Sequence, residues 1–173
     1  MESSTRGALL SYGSHCDLLK IALECRIYLE ELRLFAARGQ ELVYSCNYRD
    51  LRDPDEAARQ GPLLTWLSRH GFDVKGRVVE DFPRLPRERY GTNLVEMAVD
   101  ALGISRAAEH IALVAADAKL VPLVLALRSG GQKVTVLSTS RGPTSIVVAP
   151  QLANVADRFV DLADHAAELS MPA

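Results

Sequence analysis

Apolar and polar positions run along the chain in blocks, and each change of period marks a change of element. The clearest block is Ile111 to Thr139, IALVAADAKLVPLVLALRSGGQKVTVLST. Its first five residues, Ile111 to Ala115, are an apolar run too short for a helix and read as a buried strand. From Ala118 to Ser129 the apolar positions move to helical spacing, with Leu120, Val121, Val124 and Leu127 on one face. Gly130-Gly131 stops that helix, and Lys133 to Leu137 is a second strand. Strand, helix and strand in this order form the repeating unit of a parallel sheet. Ligands of such sheets lie beyond the carboxyl ends of the strands. Asp117 stands at that kind of position, and Lys119 follows two residues later.

The other blocks extend the pattern. Ala8 to Ser11 reads as a first strand ending at Gly13. Cys16 to Arg38 reads as one long helix, because Leu18, Ile21, Ala22, Cys25, Leu29, Leu32 and Ala36 recur at helical spacing. Glu41 to Tyr48 is a second strand, and Arg49 to Glu56 a polar loop marked by Asp53-Pro54. Pro62 to His70 is a short helix, Phe72 to Val79 a third strand, Phe82 to Tyr90 a Pro- and Arg-rich loop, and Leu94 to Leu102 a helix. The tail from Pro150 to Leu169 is helical, with a short extended piece around Phe159 to Leu162. Alternation on this scale predicts an α/β fold, a three-layer α/β/α sandwich around a mainly parallel five-stranded sheet. One domain over residues 8–165 is expected, with 1–7 and 166–173 as flexible tails.

Composition narrows the function. The chain has 173 residues, enough for one domain with a proper core. A net charge of -2 gives no global basic field that would draw it onto nucleic acid, so any such contact needs a local patch. No run approaches the ~20 apolar residues of a membrane span, and the N-terminus lacks a signal-peptide core. A cytoplasmic protein without membrane partners is expected. Cys16, Cys25 and Cys46 have no metal-ligand spacing and read as reduced core cysteines. No Walker or dinucleotide fingerprint is present, so no nucleotide cofactor is expected.

Three segments, Gly91 to Leu102 (GTNLVEMAVDAL), Ile111 to Leu127 (IALVAADAKLVPLVLAL) and Lys133 to Arg141 (KVTVLSTSR), resemble NYN domains of the LabA-like group. Gly61 to Phe72 (GPLLTWLSRHGF) and Ala156 to Leu162 (ADRFVDL) fit the same pattern, so the resemblance spans Leu9 to Leu162. It implies the PIN-like, Rossmann-like nuclease fold, with an acidic pocket at the strand ends and metal-dependent ribonuclease ancestry. Mg²⁺ takes oxygen ligands in near-octahedral geometry, and metal-assisted phosphodiester cleavage needs carboxylates to hold the ion and activate water.

The resemblance also shows departures. Its first strand ends in Asp-Gly-x-Asn, where this chain has Tyr12-Gly13-Ser14-His15. Leu94 stands at the helix-start Asp, while Glu96 and Asp100 are kept. The Ser-Gly-Asp-x-Asp-Phe turn reads Ala115-Ala116-Asp117-Ala118-Lys119-Leu120. One of four expected metal-binding acids remains, Asp117. The Lys119 ammonium adds a repulsion of a few kcal/mol, which lowers metal affinity roughly 100-fold.

Each candidate has a plainer reading. Asp117 is either a residual ligand or a helix N-cap. Glu96 and Asp100 share a helix face, lining the old pocket or facing solvent. Lys119 either replaces the metal or binds phosphate. His15 is either a general base or a polar helix-start residue. Arg84, Arg87, Arg89 and Tyr90 either contact RNA phosphates and stack a base, or form an exposed mixed-charge loop.

The expected function is a non-catalytic NYN-type regulatory module holding RNA or a protein partner, with no cofactor. The alternative is a Mg- or Mn-dependent ribonuclease using Asp117, Glu96 and Asp100 with substrate phosphates. A homo-dimer is a third expectation, with the apolar segment Ile146 to Val148 at its interface.

Overall fold

The structure, a computed structural model, describes residues 5–51, 54–78 and 92–170. In chain order the elements are β1 (Thr5–Tyr12), α1 (Gly13–Ala22), α2 (Leu29–Ala36), β2 (Gln40–Leu51), α3 (Pro54–Arg69), β3 (Asp73–Val78) and α4 (Thr92–Ile104). Then come β4 (His110–Val114), a 3-10 turn (Ala118–Leu120), α5 (Val121–Ser129), β5 (Lys133–Ser138), α6 (Pro150–Val155), β6 (Arg158–Asp161), a second 3-10 turn (Leu162–His165) and α7 (Ala166–Leu169).

All strand pairs are parallel, and the sheet order is β3-β2-β1-β4-β5-β6. The order reverses between β1 and β4, which makes their carboxyl ends the topological switch point. The strands bury both faces. Ala8, Leu10, Tyr48, Leu113 and Val136 pack under Leu94, Met97 and Ala101 of α4, Leu127 of α5 and Leu152 of α6. On the opposite face Leu9, Ala112, Val114 and Leu137 meet Cys16 and Leu19 of α1, Leu32 of α2, Leu67 of α3 and Leu169 of α7. The α/β sandwich expected from the alternation is present.

Six strands replace the expected five. Arg158–Asp161 pairs with Thr135–Ser138, and its four residues are too few to establish a period in the sequence. The long helix expected over Cys16 to Arg38 is two helices. Glu24, just past the end of α1, takes a left-handed φ of 52°, and the chain turns before Leu29. The apolar spacing runs on through the break because Leu23, Cys25 and Ile27 pack into the same cluster as the helices.

Strand β2 continues through the expected polar loop, since Arg49, Asp50 and Leu51 pair with Gly76, Arg77 and Val78. Helix α3 starts at Pro54 rather than near Pro62. A proline suits the first turn of a helix, so Asp53-Pro54 announces one as readily as a loop. The expected tails differ as well. Strand β1 begins at Thr5, and α7 is tied down by buried Leu169, whose carbonyl accepts from Tyr28 N at 3.0 Å. Ile146 and Val148 are buried at 5% and 6% exposure, so they do not form a surface segment. Val148 N donates to Thr139 O at 2.8 Å and Ala149 N to Ala116 O at 2.9 Å, folding this segment over the ends of β4 and β5.

Glycine suits the left-handed position after a helix, where a side chain costs roughly 1 kcal/mol. Glu24→Gly is therefore expected to stabilise the fold by about 0.5–1 kcal/mol, measured as a higher urea midpoint at unchanged slope.

Candidate functional site

Two groups of polar side chains flank the carboxyl ends of β1 and β2, one on each face of the sheet. On the α1 face the chain of bonds begins at Ser11 of β1, whose hydroxyl donates to Cys46 O at 3.1 Å. Asn47 Nδ2 donates to Ser11 Oγ at 2.9 Å, and Arg49 Nε to Asn47 Oδ1 at 3.1 Å. Arg49 is 4% exposed and needs a counter-charge. Asp17 of α1 supplies it through a bidentate pair, Nη1 to Oδ2 at 2.8 Å and Nη2 to Oδ1 at 3.3 Å. Gly13 makes this possible, because a Cβ there would overlap the Arg49 side chain. Beside the pair a cavity of about 150 Å³ is lined by Ser14, Asp17, Arg49, Asp50, Glu56 and Gln60 among others.

His15 lies deeper on the same side, its Nε2 2.9 Å from Ser138 Oγ at the end of β5. The ring is 4% exposed, and burial lowers its pKa from 6.5 to about 4. Burial also pushes the Cys16 thiol up to about 12, so it is an inert core group. All three cysteines are free thiols.

On the α4 face, Asp100 Oδ2 accepts from Tyr48 Oη at 2.8 Å and from Lys75 Nζ at 2.7 Å. The bond to Asp100 raises the Lys75 pKa, and Glu96 adds to the rise. Burial raises the pKa of Tyr48. Asp50, near the end of β2, caps α4: it accepts from Asn93 N at 3.2 Å and from Asn93 Nδ2 at 2.8 Å. Asn93 Oδ1 is buried and has no hydrogen-bond partner among the described residues.

The expected site residues fall as follows. Tyr12 ends β1 and is half-buried against the α4-side core, where Leu94 and Ala115 are fully inside. Asp117 is half-buried and N-caps the turn after β4, accepting from Lys119 N at 2.8 Å. The Lys119 side chain is exposed. Glu96 and Asp100 both lie near Lys75. Among the described residues, no group of three or more His, Cys, Asp or Glu side chains is placed to hold a metal ion. Arg84, Arg87, Arg89 and Tyr90 lie outside the described residues.

The model of the NYN domain matches residues 15–163. The chain belongs to the NYN domain family. NYN domains stand in a nuclease-like superfamily. No curated protein matches the sequence. A crystal structure of a protein of unknown function from Vibrio parahaemolyticus has the same fold as this NYN domain, with a TM-score of 0.76 and 22% identity over 94% of this chain and 96% of that one. An oxidoreductase from Sinorhizobium meliloti aligns with a TM-score of 0.38 and 18% identity over 92% of this chain and 36% of its own length. That likeness is too weak to bear on the NYN fold or its chemistry. No described helix of the NYN domain is long and apolar enough to cross a membrane.

Sequence reasoning missed Arg49, Asp50, Lys75, Asn93 and Ser138. The first two were hidden in a supposed loop. The available signal was β2 itself: QELVYSCNYRDL keeps strand-forming residues through Tyr48 and has no Gly or Pro to end the strand.

His15 makes stability depend on acid. The unfolded chain takes up a proton near pH 6.5, the folded one only near 4, so the unfolded state binds more protons between these values. The contribution of neutral His15 is fully present above pH 6.5 and lost as pH falls toward 4. Its size is about 3 kcal/mol. Chemical denaturation of wild type and His15→Gln from pH 7 to pH 4 is expected to show the smaller loss in the variant.

Proposed function

We propose that this NYN domain protein, a member of the LabA-like group, is a non-catalytic regulatory module that holds RNA or a protein partner at the former cleft. One observation carries the reading: the Asp100 carboxylate is already engaged by Lys75 and Tyr48. Both donors converge on Oδ2, and the Lys75 ammonium 2.7 Å away supplies the positive charge that a metal ion would otherwise bring to this carboxylate. Asp50 and Asp17 are committed in the same way, to Asn93 and to Arg49. Tyr12, Leu94 and Lys119 at the other former acid positions add no oxygen anion. A lone carboxylate at Asp117 rarely holds Mg²⁺ unless substrate phosphates complete the shell.

RNA is the ligand the reading favours, with Arg84, Arg87 and Arg89 on phosphates and Tyr90 stacking on a base. Asp117 supports a second reading, because it keeps the strand-end position of a family acid. A Mg- or Mn-dependent ribonuclease would use it with Glu96 and Asp100.

A gel shift with labelled single-stranded RNA separates these readings. The expected result is a retarded, intact band that EDTA leaves unchanged and that the triple change Arg84→Ala, Arg87→Ala, Arg89→Ala weakens at least tenfold (about 1.4 kcal/mol). Cleavage that requires Mn²⁺ and disappears in Asp117→Asn would overturn the proposal.

A further inference from the structure

Parallel sheets in the order β3-β2-β1-β4-β5-β6 have a place for a sugar. An acid beyond the end of the second strand bonds a ribose hydroxyl there, beside the turn from the first strand into its helix. The cavity of about 150 Å³ next to the Arg49–Asp17 pair lies at that place. Helix α1 contributes Ser14, Asp17 and Leu18 to its wall, and the end of β2 contributes Arg49 and Leu51. Glu56 and Gln60, one turn apart on α3, close the third side. The other half of a dinucleotide site is missing. Its phosphate turn needs three glycines, and Tyr12-Gly13-Ser14-His15-Cys16-Asp17 has one.

The charges of the wall select the ligand. A phosphate would meet the carboxylates of Asp17 and Glu56, while the charge of Arg49 is already matched by Asp17. A cation would meet the guanidinium, and the Asp17 charge is spent on that same group. Asp50 also borders the cavity, but its carboxylate accepts from Asn93. A neutral ligand that both donates and accepts suits such a wall, and hydroxyl groups do both. Arg49 Nη1 and Nη2 each carry a second N–H beyond the one given to Asp17. Glu56 and the Gln60 amide oxygen are acceptors, and Leu18 and Leu51 offer apolar surface to the carbons of a ring. Size narrows the choice further. Pockets for drug-sized ligands measure about 300–1,000 Å³, so this cavity holds one ring and leaves a base outside.

We propose that the cavity between α1 and α3 takes a ribose ring by its neighbouring 2′- and 3′-hydroxyls, presented by a free ribonucleoside or by the 3′ end of an RNA strand. The hydroxyls donate to Glu56 and Gln60 and accept from Arg49. The RNA source rests on the function proposed above, whereas the ribonucleoside source does not. A ring of about ten non-hydrogen atoms binds with a dissociation constant on the order of 1 mM.

A two-dimensional amide NMR titration of the full chain with uridine, up to about 20 mM, tests the proposal. Saturating shifts are expected at Ser14 and Gln60, with 2′,3′-dideoxyuridine weaker by about tenfold. Gln60→Leu is expected to weaken uridine about fivefold, and Ser14→Leu, which fills the cavity, to abolish its binding. Both side chains are half-buried, and the NMR spectra themselves report whether the variants fold. Anisotropy of 5′-labelled RNA then separates the sources. Tighter binding of a strand with a free 3′ end than of the same strand with a 3′-phosphate supports the RNA end, and equal binding beside saturable uridine supports the free ribonucleoside. Uridine and dideoxyuridine binding alike, or no shift with uridine at the highest concentration, overturns the proposal. RNA that still binds in that case leaves the RNA-holding function standing.

Discussion

A guanidinium buried under the start of α1 governs how the crest of this molecule is built. Arg49 is almost fully enclosed, and an enclosed cation without a counter-charge is far costlier than a paired one. Asp17 provides the charge, Asn47 holds the remaining Nε–H, Ser11 holds Asn47, and the backbone of Cys46 receives the last proton. The chain crosses from α1 to β2 to β1 and back, so the entry of the first helix and the register of β1 against β2 are tied by one run of hydrogen bonds. The apolar packing of Leu9, Cys16 and Leu19 beneath supplies the driving force but no such directionality.

The opposite face follows the same logic with different groups. Lys75 and Tyr48 converge on Asp100, and Asn93 presents two donors to Asp50 at the start of α4. Three carboxylates near the ends of β1 and β2 thus serve as internal partners for donors of the same chain. The present arrangement gives these three a structural task, and the capping bond gives Asp117 another.

Much of the fold was legible in the sequence, because buried strands and amphipathic helices have distinct periods over eight or more residues. The unit from Ile111 to Leu137 is the best case: its strand, helix and strand appear within a residue or so of their expected limits, apart from the 3-10 turn that opens the helix. Legibility fails where the deciding interaction is distant or brief. Strand β6 is four residues long. The turn after helix α1 places a glutamate, Glu24, in a conformation glycine usually takes. Arg49 looks like any loop arginine until Asp17, 32 residues earlier, is brought beside it. The same holds for the site. The cap at Asp117 is local and its partner lies two residues away, whereas the engagement of Asp100 by Lys75 joins residues 25 apart on separate elements.

Gly13, Asp17 and Arg49 have a bearing on the history of the chain. A larger residue at the first position collides with the arginine, a neutral one at the second strands its charge, and a shorter one at the third leaves a void beneath the glycine. Changes at these three sites are mutually contingent, so relatives are expected to inherit them as a trio or to replace them together. Drift by single steps is closed off at the crest of the sheet, while the neighbouring surface remains open to it.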